Sequence, residues 1–92
     1  MKFYTYSADE CSEERSYYIV GSAREIASLY KNFLKREIAD PEFCDYPKFN
    51  MDRDYALEIN FKDIYHTPSM RVITSSTFES ILLDYQLIEG VA

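Results

Sequence analysis

Tryptophan is absent from this chain, and glycine, proline and histidine are scarce: two Gly, three Pro and one His in 92 residues. So little glycine and proline leaves few turns, and regular elements must occupy most of the length. No glycine-rich phosphate loop, no GxSxG elbow and no zinc-ligand spacing is present, which removes the usual signatures of phosphoryl transfer, serine hydrolysis and zinc chemistry. No apolar run approaches the roughly 18 residues of a membrane span. The opening MKFYTYSADE turns polar and acidic too soon for a secretory h-region, so the expected location is the cytoplasm. The two cysteines, Cys11 and Cys44, form no CxxC pair, and in a reducing compartment they are expected as free thiols.

What is present is globular: 47% hydrophobic and 28% charged residues, read as one domain over residues 1–92. Nine Tyr and six Phe mean that much of the core is filled by rings. The net charge of −6 disfavours binding to a phosphate backbone, so duplex nucleic acid is not an expected ligand. An acidic surface instead suits basic partners, including proteins that handle nucleic acids, although the same charge also serves solubility alone.

The chain is organised around Ser22–Ala39. Ser22 and Glu25 have the spacing of a capping box. At a 3.6-residue period Ala23, Ile26, Ala27, Tyr30, Phe33, Leu34 and Ile38 share one stripe, with Arg24, Ser28, Lys31, Asn32 and Lys35 opposite. Asp40-Pro41 stops this helix, and Glu37 misfits the stripe, so the helix either ends near Arg36 or overhangs the core. Strands are predicted at Lys2–Ser7, Ser16–Val20, Tyr55–Phe61 and Met70–Thr74, the third with clear alternation. A second helix is predicted from a Ser76/Glu79 capping box to about Ile88, with Phe78, Ile81, Leu82, Tyr85 and Ile88 inward. The order β-β-α-β-β-α predicts an α+β fold of two layers: a four-stranded antiparallel sheet with two helices on one face.

Between these elements lie two acidic loops, 8–15 and 40–54. Tracing the chain up and down through a two-layer fold gathers both at one end. Nine of the sixteen acids would meet there: Asp9, Glu10, Glu13, Glu14, Asp40, Glu42, Asp45, Asp52 and Asp54, with Phe43, Tyr46 and Phe49 among them. This end, centred on Asp9, Glu10, Glu13, Glu14, Glu42, Phe43, Asp45, Tyr46, Asp52 and Asp54, is the candidate partner-binding site. The same trace puts Cys11 and Cys44 at that end and His66 on a turn at the other, which argues against a Cys–His nucleophile. Asn50, Asp52 and Asp54 have the spacing that opens an EF-hand, but Tyr55 and Phe61 stand where its Gly and Glu belong. No metal and no cofactor is expected.

A two-layer fold leaves one sheet face open. Tyr4, Tyr6 or one of Tyr17 and Tyr18 would lie on it beside Glu58, Asn60, Lys62 and Arg71, as bases stack on RNA-recognition sheets. Leu83 and Leu87, one turn apart off the inner stripe, offer a homodimer ridge. The function these features predict is a small non-enzymatic protein that binds and inhibits a macromolecular partner. Phage anti-defence proteins, toxin-immunity proteins and nucleic-acid mimics are commonly acidic single domains of this kind. The alternative is a nucleotide or single-stranded RNA module using the aromatic sheet face.

Overall fold

The computed structural model describes residues 1–5, 15–45, 48–63, 65–85 and 88–90. Its elements are β1 (Lys2–Thr5), β2 (Arg15–Ser22), α1 (Ala23–Lys35), a 3-10 turn (Pro41–Phe43), β3 (Asp54–Phe61), β4 (Ser69–Thr74), α2 (Ser75–Tyr85) and β5 (Ile88–Glu89). The strands form one antiparallel sheet in the order β4-β3-β2-β1-β5. The fold is therefore α+β with the expected β-β-α-β-β-α order, extended by a two-residue edge strand. No described helix is long and apolar enough to cross a membrane.

Helix α1 starts as its sequence dictates. The Ser22 hydroxyl accepts from the Glu25 N–H (3.3 Å), and the Glu25 carboxylate accepts from the Ser22 N–H (3.1 Å). These contacts with Ser22 hold the Glu25 carboxyl below the ordinary carboxylate range. The helix closes at Lys35 because Glu37 turns left-handed, at φ 57°. The Ile38 N–H then reaches the Phe33 carbonyl (2.8 Å) and the Glu37 N–H the Leu34 carbonyl (3.1 Å), the paired bonds of a Schellman cap. Of the two readings of the misfit at Glu37, the early stop is the one adopted. Ile38 consequently lies beyond the helix and is exposed.

The strands carry core on both faces. Ile19, Tyr55, Leu57, Ile59 and Met70 point to one side, where they pack with Ala23, Ile26 and Tyr30 of α1. Tyr18, Ala56 and Ile73 point to the other, where they pack with Phe78 of α2, backed by Tyr4, Val20, Ile81 and Leu82. Neighbouring residues of a strand face opposite ways, so Ala56 and Leu57 cannot serve one layer. The two helices therefore cover opposite faces, and the expected placement of both on one face is corrected. Burying a side chain such as Ile26 or Leu57 contributes about 1.5–3 kcal/mol, so each face holds enough apolar surface to seat its helix.

Helix α2 differs from expectation at both ends. Its first turn is capped by Thr74, whose hydroxyl accepts from the Thr77 N–H (3.3 Å), two residues before the expected Ser76/Glu79 box. It closes at Tyr85, and Ile88 lies in β5 rather than in the helix. There Ile88 and Glu89 pair with Thr5 and Tyr4, and the Gly90 N–H donates to the Phe3 carbonyl at 2.6 Å. Strand β5 thus blunts the β1 edge, which would otherwise present unpaired backbone groups.

Candidate functional site

The site follows from strand direction. Ser22 pairs with Asp54 and Tyr55 with Thr74, so both helices begin at one end of the sheet. Helix α1 carries the chain back to the other end, whereas β3 must start again beside Ser22. Residues 40–45 therefore lie at the end where α1 stops and residues 48–53 lead into β3 at the other, instead of all looping at one end. Residues 40–45 run along the outer side of β4, tied to it by main-chain bonds.

The Asp40 N–H donates to the Pro68 carbonyl (2.9 Å) and the Asp45 N–H to the Met70 carbonyl (3.3 Å). The Tyr30 hydroxyl, buried in the core, donates to the Asp45 carbonyl. Farther on, the Asn50 N–H donates to the Tyr55 hydroxyl (2.8 Å), and Phe49 stands edge-on to the Tyr55 ring with centroids 5.3 Å apart. The Asp40 carboxylate accepts from the Glu42 N–H (3.0 Å) and opens the 3-10 turn. That turn throws Phe43 outward, 66% exposed, and Cys44 inward against the core.

Facing this segment is the β3–β4 turn, built on Asp63. Its carboxylate accepts from the Tyr65 N–H (2.7 Å), the His66 N–H (3.0 Å) and, at 2.7 Å, from His66 Nδ1. The His66 ring is the main reason the Asp63 carboxyl sits below the usual range, with the Tyr65 N–H next. Between segment and turn runs an open groove of about 670 Å³, lined by Asp40, Glu42, Phe43, Cys44 and Asp45 on one wall and Lys62, His66, Thr67 and Ser69 on the other. Ile38 and Tyr65, the latter 86% exposed, lie at the same end of the molecule.

Several expectations are corrected here. Cys44 and His66 line one groove, whereas the sequence trace put them at opposite ends. The trace went wrong by running β3 in the same direction as β2, although the two are antiparallel. The acids are accordingly split. Asp40, Glu42 and Asp45 stay at the groove, while Asp54 pairs with Ser22 at the far end and Asp52 is nearby in the preceding turn. There the Asp52 N–H donates to Asn50 Oδ1 (3.1 Å), which occupies the side chain that would have opened a calcium loop. Asp9, Glu10, Cys11, Glu13, Glu14, Tyr46 and Leu87 lie outside the described residues. Asp63, Thr67 and Ser69 are groove or turn residues that the sequence did not single out, and Lys62, expected on the open sheet face, lines the groove. The Asp63-x-x-His66 spacing was the available signal, since an Asp commonly caps the turn that follows it.

The expected open sheet face is not open where the tyrosines are. Tyr18 is 2% exposed, and Phe78 of α2 stands 5.5 Å from its ring and 5.0 Å from that of Tyr4. Beside them Glu58 accepts from the Tyr18 hydroxyl (2.9 Å) and from Arg71 Nη2 (3.1 Å), and Asn60 donates to Ser16 (2.9 Å). Tyr17 faces the α1 side, edge-on to Phe61. Tyr6 lies outside the described residues.

Chemically, the described residues of the groove offer carboxylates, the Phe43 ring, Lys62, His66 and the Cys44 thiol. The Cys44 thiol is free, donates to the Asp40 carbonyl (2.9 Å) and is pushed up in pKa first by burial, then by Asp40 and Asp45. A thiol so shifted is a poor nucleophile at neutral pH. Among the described residues no cluster of His, Cys, Asp and Glu is arranged to hold a metal ion. Comparison with models of known protein families, with curated proteins and with solved structures finds no match to this chain.

Proposed function

We propose that this is a small acidic binding protein that acts in the cytoplasm by docking on, and inhibiting, a basic protein partner. The observation that supports this reading most is the groove itself. Asp40, Glu42 and Asp45 line a concavity whose rim carries Phe43 with two thirds of its surface in water. An exposed aromatic side chain among charges is the composition of an interface hot spot. The overall charge of −6 would steer a basic partner toward the molecule. Partners that themselves bind nucleic acid fit that charge, in the manner of anti-defence, immunity or nucleic-acid-mimic proteins.

The alternative, a base-stacking module, loses support because α2 covers Tyr4 and Tyr18. The experiment is capture from host lysate at low salt, with Asp40, Glu42 and Asp45 all changed to Lys as the control. A basic protein retained by the wild type and lost by the variant supports the reading. Capture unaffected by the three changes and by salt would move the interface elsewhere.

A further inference from the structure

We propose that the outer face of α1 is a phosphate-contacting surface, on which Arg24, Lys31 and Lys35 engage the backbone of a nucleic acid without reading its bases. The inference uses no residue of the groove and stands or falls apart from the reading given for it.

Three observations carry it. First, the cations form a line. At the helical period Arg24, Ser28, Lys31 and Lys35 fall on one stripe, opposite the buried Ala23, Ile26 and Tyr30, and all four are exposed. At 1.5 Å of rise per residue the stripe is about 16 Å long. Second, the helix and its neighbours do not account for this charge. None of the three cations has an acid three or four residues away along the chain, and Lys31 and Lys35 stand at the i, i+4 spacing where like charges repel. Arg24 lies in the first turn, where the macrodipole disfavours a cation. Among the described residues no ion pair reaches any of them, and Glu25, the one acid of α1, is bonded to Ser22. Third, the stripe is all donor. Ser28 and, at its flank, Asn32 add a hydroxyl and an amide, and no apolar side chain of α1 is exposed there. A protein interface centres on aromatic and aliphatic anchors, whereas Arg, Lys, Ser and Asn are the side chains that contact phosphate. That composition favours a phosphate backbone over an acidic protein. The net charge of −6 comes from the rest of the chain, and salt screens charges more than about 10 Å away.

The test is an NMR titration of the ¹⁵N-labelled full chain with a short DNA duplex, repeated with a peptide of alternating glutamate and glycine. The expected result is that the duplex shifts the amides of residues 24–36. Three phosphate contacts should weaken its binding about fortyfold between about 50 and 200 mM salt. Lys31→Gln, at an exposed helical site, is expected to keep the fold and to lower the slope of log Kd against log salt by about one. Changing Arg24, Lys31 and Lys35 all to Gln is expected to abolish binding while leaving the circular dichroism unchanged. The glutamate peptide is expected to bind this face more weakly than the duplex. A peptide that binds here as tightly as the duplex overturns the nucleic-acid assignment and makes the occupant an acidic protein. Shifts confined to other residues, binding retained by the triple variant, or no binding of the duplex overturns the surface itself.

Discussion

Asp45 and Met70 join a loop to a sheet edge: the Met70 carbonyl on β4 accepts from the N–H of Asp45, the residue next to Cys44, at 3.3 Å. The neighbouring Cys44 side chain packs against the core, and its S–H donates to the Asp40 carbonyl at 2.9 Å. The same bonds hold one wall of the groove in place.

Cys44→Ala is therefore expected to cost about 1 kcal/mol, since it removes the S–H bond to the Asp40 carbonyl and part of the packing on the core. Cys44→Ser keeps a donor and an acceptor there and should cost less. Urea denaturation of the three proteins checks the order. In the folded wild type Cys44 should also alkylate more slowly at pH 8 than an unhindered cysteine, because its thiol is pushed up by burial. Equal stability of all three variants would reduce Cys44 to a space-filler.

Glu37 occupies a left-handed position that suits glycine better than any residue with a Cβ. Glu37→Gly should stabilise the protein by about 0.5–1 kcal/mol, and Glu37→Val should destabilise it. Thermal melts followed by circular dichroism distinguish these outcomes. A glycine variant that melts lower than the wild type would mean that the Glu37 side chain has a role beyond the cap.

Asp63 ties its turn together only when ionised. Its pKa is lowered in the folded protein, so its contribution is present above the ordinary carboxylate range and is lost as pH falls through the lower folded value. The stability difference between wild type and Asp63→Asn should be largest near neutrality and shrink below about pH 4. Denaturation midpoints across pH 2–7 measure it. A difference that stays constant over that range would show that the charge of Asp63 is not what matters.

The burial of α2 gives the largest expected effect. Phe78→Ala removes the ring that touches both Tyr4 and Tyr18, and should cost about 3–5 kcal/mol. Leu57→Ala, on the opposite face, should cost about 2–5 kcal/mol. Comparable losses confirm two cores rather than one. A Phe78 variant with wild-type stability would return α2 to the surface and reopen the aromatic face.

Leu83 is 80% exposed on α2, while Leu87, the other half of the expected ridge, lies outside the described residues. Leu83→Lys should change stability by less than about 0.5 kcal/mol. If Leu83 mediates self-association, the variant should also sediment as a smaller species than the wild type at high concentration. Identical sedimentation of the two would remove Leu83 from any dimer surface.

Local chemistry was enough to place most of the elements. The capping box of Ser22 and Glu25, the stripe through Ala23, Ile26 and Tyr30, and the alternation along Tyr55–Phe61 each report on their own few residues, and each stands where the sequence put it. Periodicity says that a face is buried, but it does not say by what. The apolar run Tyr17-Tyr18-Ile19-Val20 did hint at a strand covered on both sides, yet only the packing of Phe78 on Tyr18 decides that α2 lies opposite α1. The groove depends on the tertiary structure even more. Whether Asp40–Asp45 and Asp54 share one end of the sheet or stand at opposite ends follows from β3 pairing antiparallel to β2, a long-range choice that no local pattern encodes. That choice brought Cys44 beside His66, left Asp40, Glu42 and Asp45 along one wall, and sent Asp52 and Asp54 to the other end. Sequence determined which residues carry charge and which are apolar; strand direction decided which of them meet.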